Sequence, residues 1–384
     1  MSETNATTAP LRIEAVTDRA GLDLFLELGY TLRSGEVLFT PQLRRDMKTL
    51  LDRRKHPFHE HAQVEYYICW RGTTPVGRIA AIENFAHNQF HGEKIGFFGF
   101  LDAIADQEVF TALLKAAEDW ARGRGLTALR GPCSFSTNEE CGLLVHGFDT
   151  PATIMTPYTP INWPPLLEGA GYAKAKDLLH WWADETNWND RILVLAKRVR
   201  EKFVRKGEKL TMRGLDTKHF ADELGHVRTI YNAAWEKNWG FVPMTDAEID
   251  FLAKELRPII VPELVRFAFI DGVPVGFSLT LPDYNVVLRH LDGRIGPKEI
   301  ALFLLMKSRI KHIRVMTMGV IPAHRNRGLE TLLISETVAV SRSLGMRSAE
   351  TGWILEDNAL MNRTLEAIGA RHYRTHRIYE KNLS

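Results

Sequence analysis

Cysteine is scarce in this chain. The three among 384 residues, Cys69, Cys133 and Cys141, form no CxxC pair and come in an odd number. That argues against a disulfide framework or a zinc site and fits a reducing compartment. An excess of one charge is also missing. The 49 Lys and Arg nearly cancel the 47 Asp and Glu, leaving a formal net charge of +2, so no global field points to nucleic acid. No uninterrupted apolar run approaches the length that spans a bilayer. The start, M-S-E-T-N-A-T-T-A-P, has neither the basic flank nor the apolar stretch of a signal peptide, and a frayed tail over 1–10 is expected. The expected location is cytoplasmic, with peripheral contact on the inner face of the membrane as the alternative.

What is present is a globular composition, 45% hydrophobic and 25% charged, with length enough for two domains, each with its own core. The most informative stretch is Val320–Ile334, V-I-P-A-H-R-N-R-G-L-E-T-L-L-I. It predicts a strand end at Val315–Val320, a short turn at Pro322 and a helix from about Gly328. Arg325, Asn326, Arg327 and Gly328 then converge where a helix begins. First-turn N–H groups lack intrahelical partners and the helix dipole favours negative charge, so this is an anion site. Gly328 admits close approach of the backbone, and arginine supplies charge-assisted hydrogen bonds to phosphate.

The chain also repeats itself. The hairpin Gln63–Ile82 and the hairpin Val265–Leu281 both place P-V-G just after the turn, and each half then carries a helix, a glycine and a strand (Thr127–Gly131 and Arg347–Gly352). The same order in both halves reads as an internal duplication. The first copy lacks the basic turn and carries Asp102 and Asp106 in the equivalent segment. An anion is expected in the second copy alone. His56, His59 and His61 lie close together, but their spacing misses the helical i, i+4 pair and Pro57 breaks the geometry, so no metal is expected. The loop Gly131–Phe148, rich in polar residues including Asn138 and Glu140, reads as a binding loop or a solvated one. Tyr158 beyond it lines the same cleft or covers a core. From Arg191 an amphipathic helix sets an apolar stripe of Ile192, Leu195, Val199 and Phe203 (also Ala196) against Lys197, Arg198, Arg200, Lys202, Arg205 and Lys206, close to Trp181 and Trp182. It reads as a bridge between domains, with a membrane-surface contact as the alternative. Thr245 and Glu248 form a capping box for a helix over Asp246–Leu256.

The pattern V-x-P-x-x-R-x-R-G-L-x-x-x-L, carried by Val320, Pro322, Arg325, Arg327, Gly328, Leu329 and Leu333, resembles the pyrophosphate loop of the GCN5-related N-acetyltransferase (GNAT) superfamily. The resemblance implies an α/β fold of two tandem GNAT-like domains, each a mixed, mostly antiparallel twisted sheet flanked by helices. The expected division is a degenerate domain over 11–183, a linker over 184–208 and a coenzyme-binding domain over 209–384. It implies acyl-coenzyme A as co-substrate and an amine acceptor, with no metal. Coenzyme contacts then fall to Met318, Val320, Arg325, Asn326, Arg327, Gly328, Leu329 and Asn358. A backbone N–H within Met316–Val320 would meet the thioester oxygen, and Trp239 and Phe241 would wall the acceptor pocket, with Asn138, Glu140 and Tyr158 contributing from the first domain. Two departures stand out. Glu330 replaces the usual second small residue, and Leu365 stands where the family carries a tyrosine that protonates the leaving thiolate. An amine acceptor needs a proton removed, and Glu350 and Glu356 are the candidates for the base.

At the level of the whole chain, V-G-R-I-A-A-I, F-F-G-F, the S-x-N-E-x-x-G-L-L-V-x-G-F loop and the closing G-W-I-L-E-D-N resemble a bacterial group of duplicated GNAT-like proteins that includes the bacterial ceramide synthases. That resemblance implies N-acylation of a sphingoid base by a long-chain acyl-coenzyme A. A small-amine N-acetyltransferase and an aminoacyl-tRNA-dependent ligase of the peptidoglycan-branching type are the alternatives.

Overall fold

The computed structural model describes residues 9–236 and 238–384. Of the tail expected over 1–10, all but Ala9 and Pro10 lies outside the described residues. The chain divides into two compact units that alternate along the sequence. The first takes the chain up to Leu178 together with Leu288–Ala301 and Arg374–Ser384, and the second takes Leu179–Val287 and Leu302–Tyr373.

The first unit contains β1 (Leu11–Ala15), α1 (Arg19–Thr31), α2 (Arg44–Leu51), β2 (Ala62–Arg71), β3 (Thr74–Asn84), α3 (Phe85–His91), β4 (Ile95–Ala103), α4 (Gln107–Gly123), β5 (Ala128–Gly131), β6 (Leu143–His146) and α5 (Trp163–Gly169). Strand β7 (Ala173–Asp184) leads on to α6 (Arg191–Arg205), β8 (Leu210–Gly214), α7 (Phe220–Trp235), α8 (Asp246–Leu256), β9 (Val265–Ile270), β10 (Val273–Pro282), α9 (Asn285–Leu288) and α10 (Pro297–Met306). The chain ends with β11 (His312–Val320), α11 (Leu329–Ser343), β12 (Ser348–Leu355), α12 (Ala359–Ala367) and β13 (Arg371–Asn382).

Strand order shows the duplication directly. The first unit runs β1-β2-β3-β4-β5 and the second runs β8-β9-β10-β11-β12. In each, all pairs are antiparallel except the last, β4 with β5 and β11 with β12, which are parallel. The C-terminal part of β13 pairs with β5 in the first unit. The fold class is thus α/β, a mixed and mostly antiparallel sheet with helices against it.

Each core follows from the apolar stripe of a long helix. In the first unit Val109, Phe110, Leu113, Leu114 and Ala117 of α4 pack on Cys69, Ile79, Ala81 and Phe98 of the sheet. In the second, Leu329, Leu332 and Leu333 of α11, with Ala196 and Phe203 of α6, cover Ala268, Val275 and Val320. Burying each such leucine contributes about 1.5–3 kcal/mol. A separate cluster sets Ile230 and Ala234 of α7 against Val265, Phe267, Phe269 and Phe277. Thr245 and Glu248 form their reciprocal cap at the start of α8. The stripe of α6 comprises Ile192, Ala196 and Phe203, whereas Leu195 is 46% exposed.

Candidate active site

In the second unit the parallel pair β11/β12 holds only over its first four rungs, ending at Arg314↔Glu350 and Val315↔Thr351. Beyond that point β11 stays with β10 as far as Gly276↔Val320. The two parallel strands therefore part company, with Met316–Val320 on one side and the rest of β12 on the other. The β10 ladder passes from Leu279↔Thr317 to Thr280↔Val315, skipping Met316. This is a bulge, which leaves the extra residue outside the ladder.

Strand β11 leads into the basic turn. Pro322–His324 forms a short 3-10 turn, Asn326 and Gly328 take positive φ (59° and 87°), and α11 begins at Leu329. Gly328 at the N-cap has no side chain to offer the first N–H groups of α11. Gly328 is needed twice over, because an added Cβ would also lie 2.6 Å from Val199 Cγ2 of α6. Arg325 anchors the turn by donating from Nε to Val320 O (3.2 Å) and from Nη2 to Ala234 O. Arg327 pairs with Glu208, meets His324 Nδ1 at 3.0 Å and lies 4.8 Å above the Phe203 ring. Each guanidinium carries five N–H donors, so anchoring leaves donors on the turn. Leu329 is fully buried, Val320 nearly so and Met318 half-buried. Asn358 caps α12, its side chain accepting from Met361 N at 3.2 Å.

At the last paired rungs lies a buried polar cluster. Glu350 is 0% exposed. Its Oε1 lies 2.7 Å from His180 Nδ1, and its Oε2 accepts from the Tyr373 hydroxyl at 2.6 Å. Arg314 Nε is 3.6 Å away, and Arg314 Nη2 donates to Gly352 O. Tyr373 is only half-buried, which makes it the accessible end of the cluster. The Trp182 ring lies 5.7 Å from Tyr373 and 5.4 Å from His312, which contacts Ser348. Glu356 is half-buried in the turn beyond β12, and its carbonyl accepts from Asn362 Nδ2 at 3.4 Å. Leu365 is buried among Ile192, Ile354 and Ile368, so it is a packing residue.

An aromatic wall stands beside the far half of β11. A Cβ on Gly319 would lie 2.4 Å from Trp235 Cη2, so the indole sits flat on that strand. Tyr231 stacks obliquely on Trp235 at 4.9 Å and meets Phe241 at 5.7 Å. Trp239 is half-buried in the same loop.

His180, Tyr373, Arg314 and Trp235 were not read as site residues from the sequence. The signal was there for two of them. A histidine and an arginine at buried positions of apolar strands (D-L-L-H-W-W and H-I-R-V-M) each require a polar partner.

The first unit handles the same positions differently. Asp106 caps α4, accepting from Glu108 N (2.8 Å) and Val109 N, and pairs with Arg71 at 2.9 Å. That helix start is filled by its own carboxylate. Cys133 N donates to Phe98 O at 2.7 Å, and an added Cβ on Gly99 would lie 2.1 Å from Cys133 O. The chain itself therefore closes the space beside β4. Of the candidates there, Ser134 N donates to the Glu140 carbonyl (2.8 Å), Asn138 N to Ser136 Oγ (3.1 Å), and the Tyr158 hydroxyl to Phe148 O (3.3 Å). Burial pushes the Tyr158 hydroxyl pKa above its usual value. His56, His59 and His61 cluster with Phe58 and Phe135, and burial lowers His59 to about 4.

No family model matches the chain. It is 36% identical over 386 residues to a bacterial ceramide synthase of Caulobacter vibrioides, covering 99% of each. It is 33% identical over 335 residues to the protein YghO of Escherichia coli, covering 86% of this chain and 85% of that one. Among solved structures, a tandem GNAT protein of the clavulanic acid pathway superposes with a TM-score of 0.55 at 14% identity, over 98% of this chain and 99% of that one. A GNAT of Sphaerobacter thermophilus gives 0.52 at 12% identity, over 98% and 97%. These two speak to the fold.

Proposed function

The chain belongs to the tandem GNAT-fold acyltransferase family of the bacterial ceramide synthase, and from that premise we propose that it N-acylates a sphingoid base with a long-chain acyl-coenzyme A. One observation carries the reading: within a single unit, β11 parts from β12 just beyond the rung that holds the buried Glu350 and runs on into a basic turn and a helix start whose N-cap is a glycine.

Acyl-coenzyme A supplies the acyl group as a thioester. The turn Arg325–Gly328 and the start of α11 fit its pyrophosphate, and Met316, which the β10 ladder skips, is the proposed N–H donor to the thioester oxygen. Tyr231, Trp235 and Phe241 offer an apolar wall for a chain. A primary amine of pKa ~10 is uncharged in only about one molecule in a thousand at pH 7, a cost of about 4 kcal/mol. Glu350 is too deeply buried to take that proton itself. Tyr373 passes its hydroxyl proton to Glu350 while accepting one from the amine. As the freed amine nitrogen bonds to the thioester carbon and the C–S bond breaks, the reverse transfer returns that proton to the departing thiolate, and the second proton shed by the new amide nitrogen goes to water. His180 donates to Glu350 and holds its orientation.

Two outcomes check this reading. Arg325→Ala or Arg327→Ala is expected to weaken acyl-coenzyme A binding by about 1.5–3 kcal/mol for each charged hydrogen bond lost, measured by calorimetry. In an acylation screen, palmitoyl-coenzyme A with sphinganine should give N-acylsphinganine and free coenzyme A. Turnover of acetyl-coenzyme A with a polyamine, and none with sphinganine, would make it a small-amine acetyltransferase instead.

A further inference from the structure

Helix α10 is apolar on the side it turns to solvent. Ile300, Leu304 and Leu305 are 51%, 56% and 76% exposed, and Ile295 just before the helix is 57% exposed. With Ala301, also exposed, they recur at the i, i+4 spacing of one helical stripe. The opposite stripe, Leu302, Phe303 and Met306, is half-buried, and Phe303 stacks on Tyr284 at 5.9 Å. A helix apolar on both sides needs a second cover, because large exposed apolar patches mark interaction sites.

The charges around it identify the cover. Arg294, Lys298, Lys307, Arg309 and Lys311 flank the stripe, and all five are exposed. Against them stand Asp292, which is exposed, and Glu299, whose carboxylate is used to accept from Gly296 N at 2.8 Å. None of the five pairs with a carboxylate among the described residues. A second copy of the same helix would bring these cations against one another, which disfavours self-association. An anionic bilayer accepts both features, apolar side chains below the headgroups and cations among them. The sequence had offered Trp181, Trp182 and α6 for that role. However, the Trp181 indole is buried and bonded to Asn362 (3.0 Å), Trp182 is half-buried and bonded to Asp184 (2.9 Å), and α6 packs its main apolar stripe inward. Among the described residues no helix is long and apolar enough to cross a membrane, so contact through α10 would be peripheral.

We propose that α10 and its flanking cations are a docking surface for an anionic phospholipid bilayer. Its use rests on the reading of the substrates as membrane lipids, because two long chains must otherwise cross water. The geometry does not depend on that reading. The test is co-flotation of the whole protein with vesicles of phosphatidylglycerol and phosphatidylcholine, in low and high salt. Binding to the anionic vesicles, weakened by salt, is expected, with at least a tenfold loss in Leu304→Glu/Leu305→Glu and in Lys298→Glu/Lys307→Glu/Arg309→Glu. Unchanged circular dichroism would show that these variants fold. No flotation of the wild type overturns the proposal. So does a loss that follows Lys197→Glu/Arg198→Glu of α6 instead. Light scattering that shows a dimer abolished by Leu305→Glu, without vesicle binding, also overturns it and makes the stripe a self-association face. Flotation is scored without turnover, so a protein that floats through α10 but leaves sphinganine unmodified would sink the substrate reading alone.

Discussion

Glu350→Gln is expected to lower kcat by about 10²–10⁴-fold, the range for a positioned acid–base group. The glutamine keeps the shape and can still accept from Tyr373, but it cannot take a proton. Tyr373→Phe tests the same route from its accessible end. That change removes one hydroxyl from a half-buried site and leaves the Glu350 contact with His180 in place. The two substitutions should produce similar losses, and the double variant should be little worse than either, because groups that act as a unit are not additive. Acyl-coenzyme A affinity should stay near wild type in both, since the turn at Arg325–Gly328 is untouched. A Tyr373→Phe protein with wild-type kcat would show that the amine loses its proton elsewhere.

Asp102→Ala is expected to destabilise the protein by about 3–5 kcal/mol, the usual cost of stripping one partner from a buried ion pair. Asp102 accepts from Arg78 Nε and Nη2 (2.9 and 2.6 Å) and from Arg33 Nη1 (3.1 Å), and all three side chains are about nine-tenths buried or more. Removing it leaves two guanidinium groups buried without a countercharge. Native stabilities of about 5–15 kcal/mol make that a large fraction. The midpoint of urea unfolding measures it directly. Asp102 thus contributes to the fold of the first unit, and its replacement is silent only for coenzyme binding by the protein that remains folded. A loss below about 1 kcal/mol would mean that solvent or another carboxylate replaces it.

The duplication was legible because it is written locally. Two hairpins with P-V-G after the turn, and two helix–Gly–strand units, need no long-range information, and the common strand order follows them. The basic turn was legible for the same reason, since its arginines and Gly328 lie within four residues. Its second reason for a glycine was hidden, because Val199 approaches from 129 positions away in the chain. The proposed proton route was hidden in the same way. Glu350 could be nominated from its place on β12, but His180 and Tyr373 reach it from β7 and β13, 170 and 23 residues distant. Leu365 fills the place where the resemblance would put a tyrosine, so nothing local pointed to Tyr373 as the proposed proton carrier. Helix α10 shows the opposite failure. Its sequence, P-K-E-I-A-L-F-L-L-M, drew no reading of its own, and exposure alone reveals that half of it is uncovered.

That a duplicated fold carries its acyl donor in one copy alone is the claim from which the rest follows, and calorimetric stoichiometry tests it most directly. Titrating palmitoyl-coenzyme A, below its critical micelle concentration, into wild-type protein should give one equivalent bound per chain. Arg325→Ala/Arg327→Ala should abolish that binding, while Asp106→Asn, at the start of α4, should leave the single site intact. Two equivalents per chain, or one equivalent that survives loss of both arginines, would contradict it.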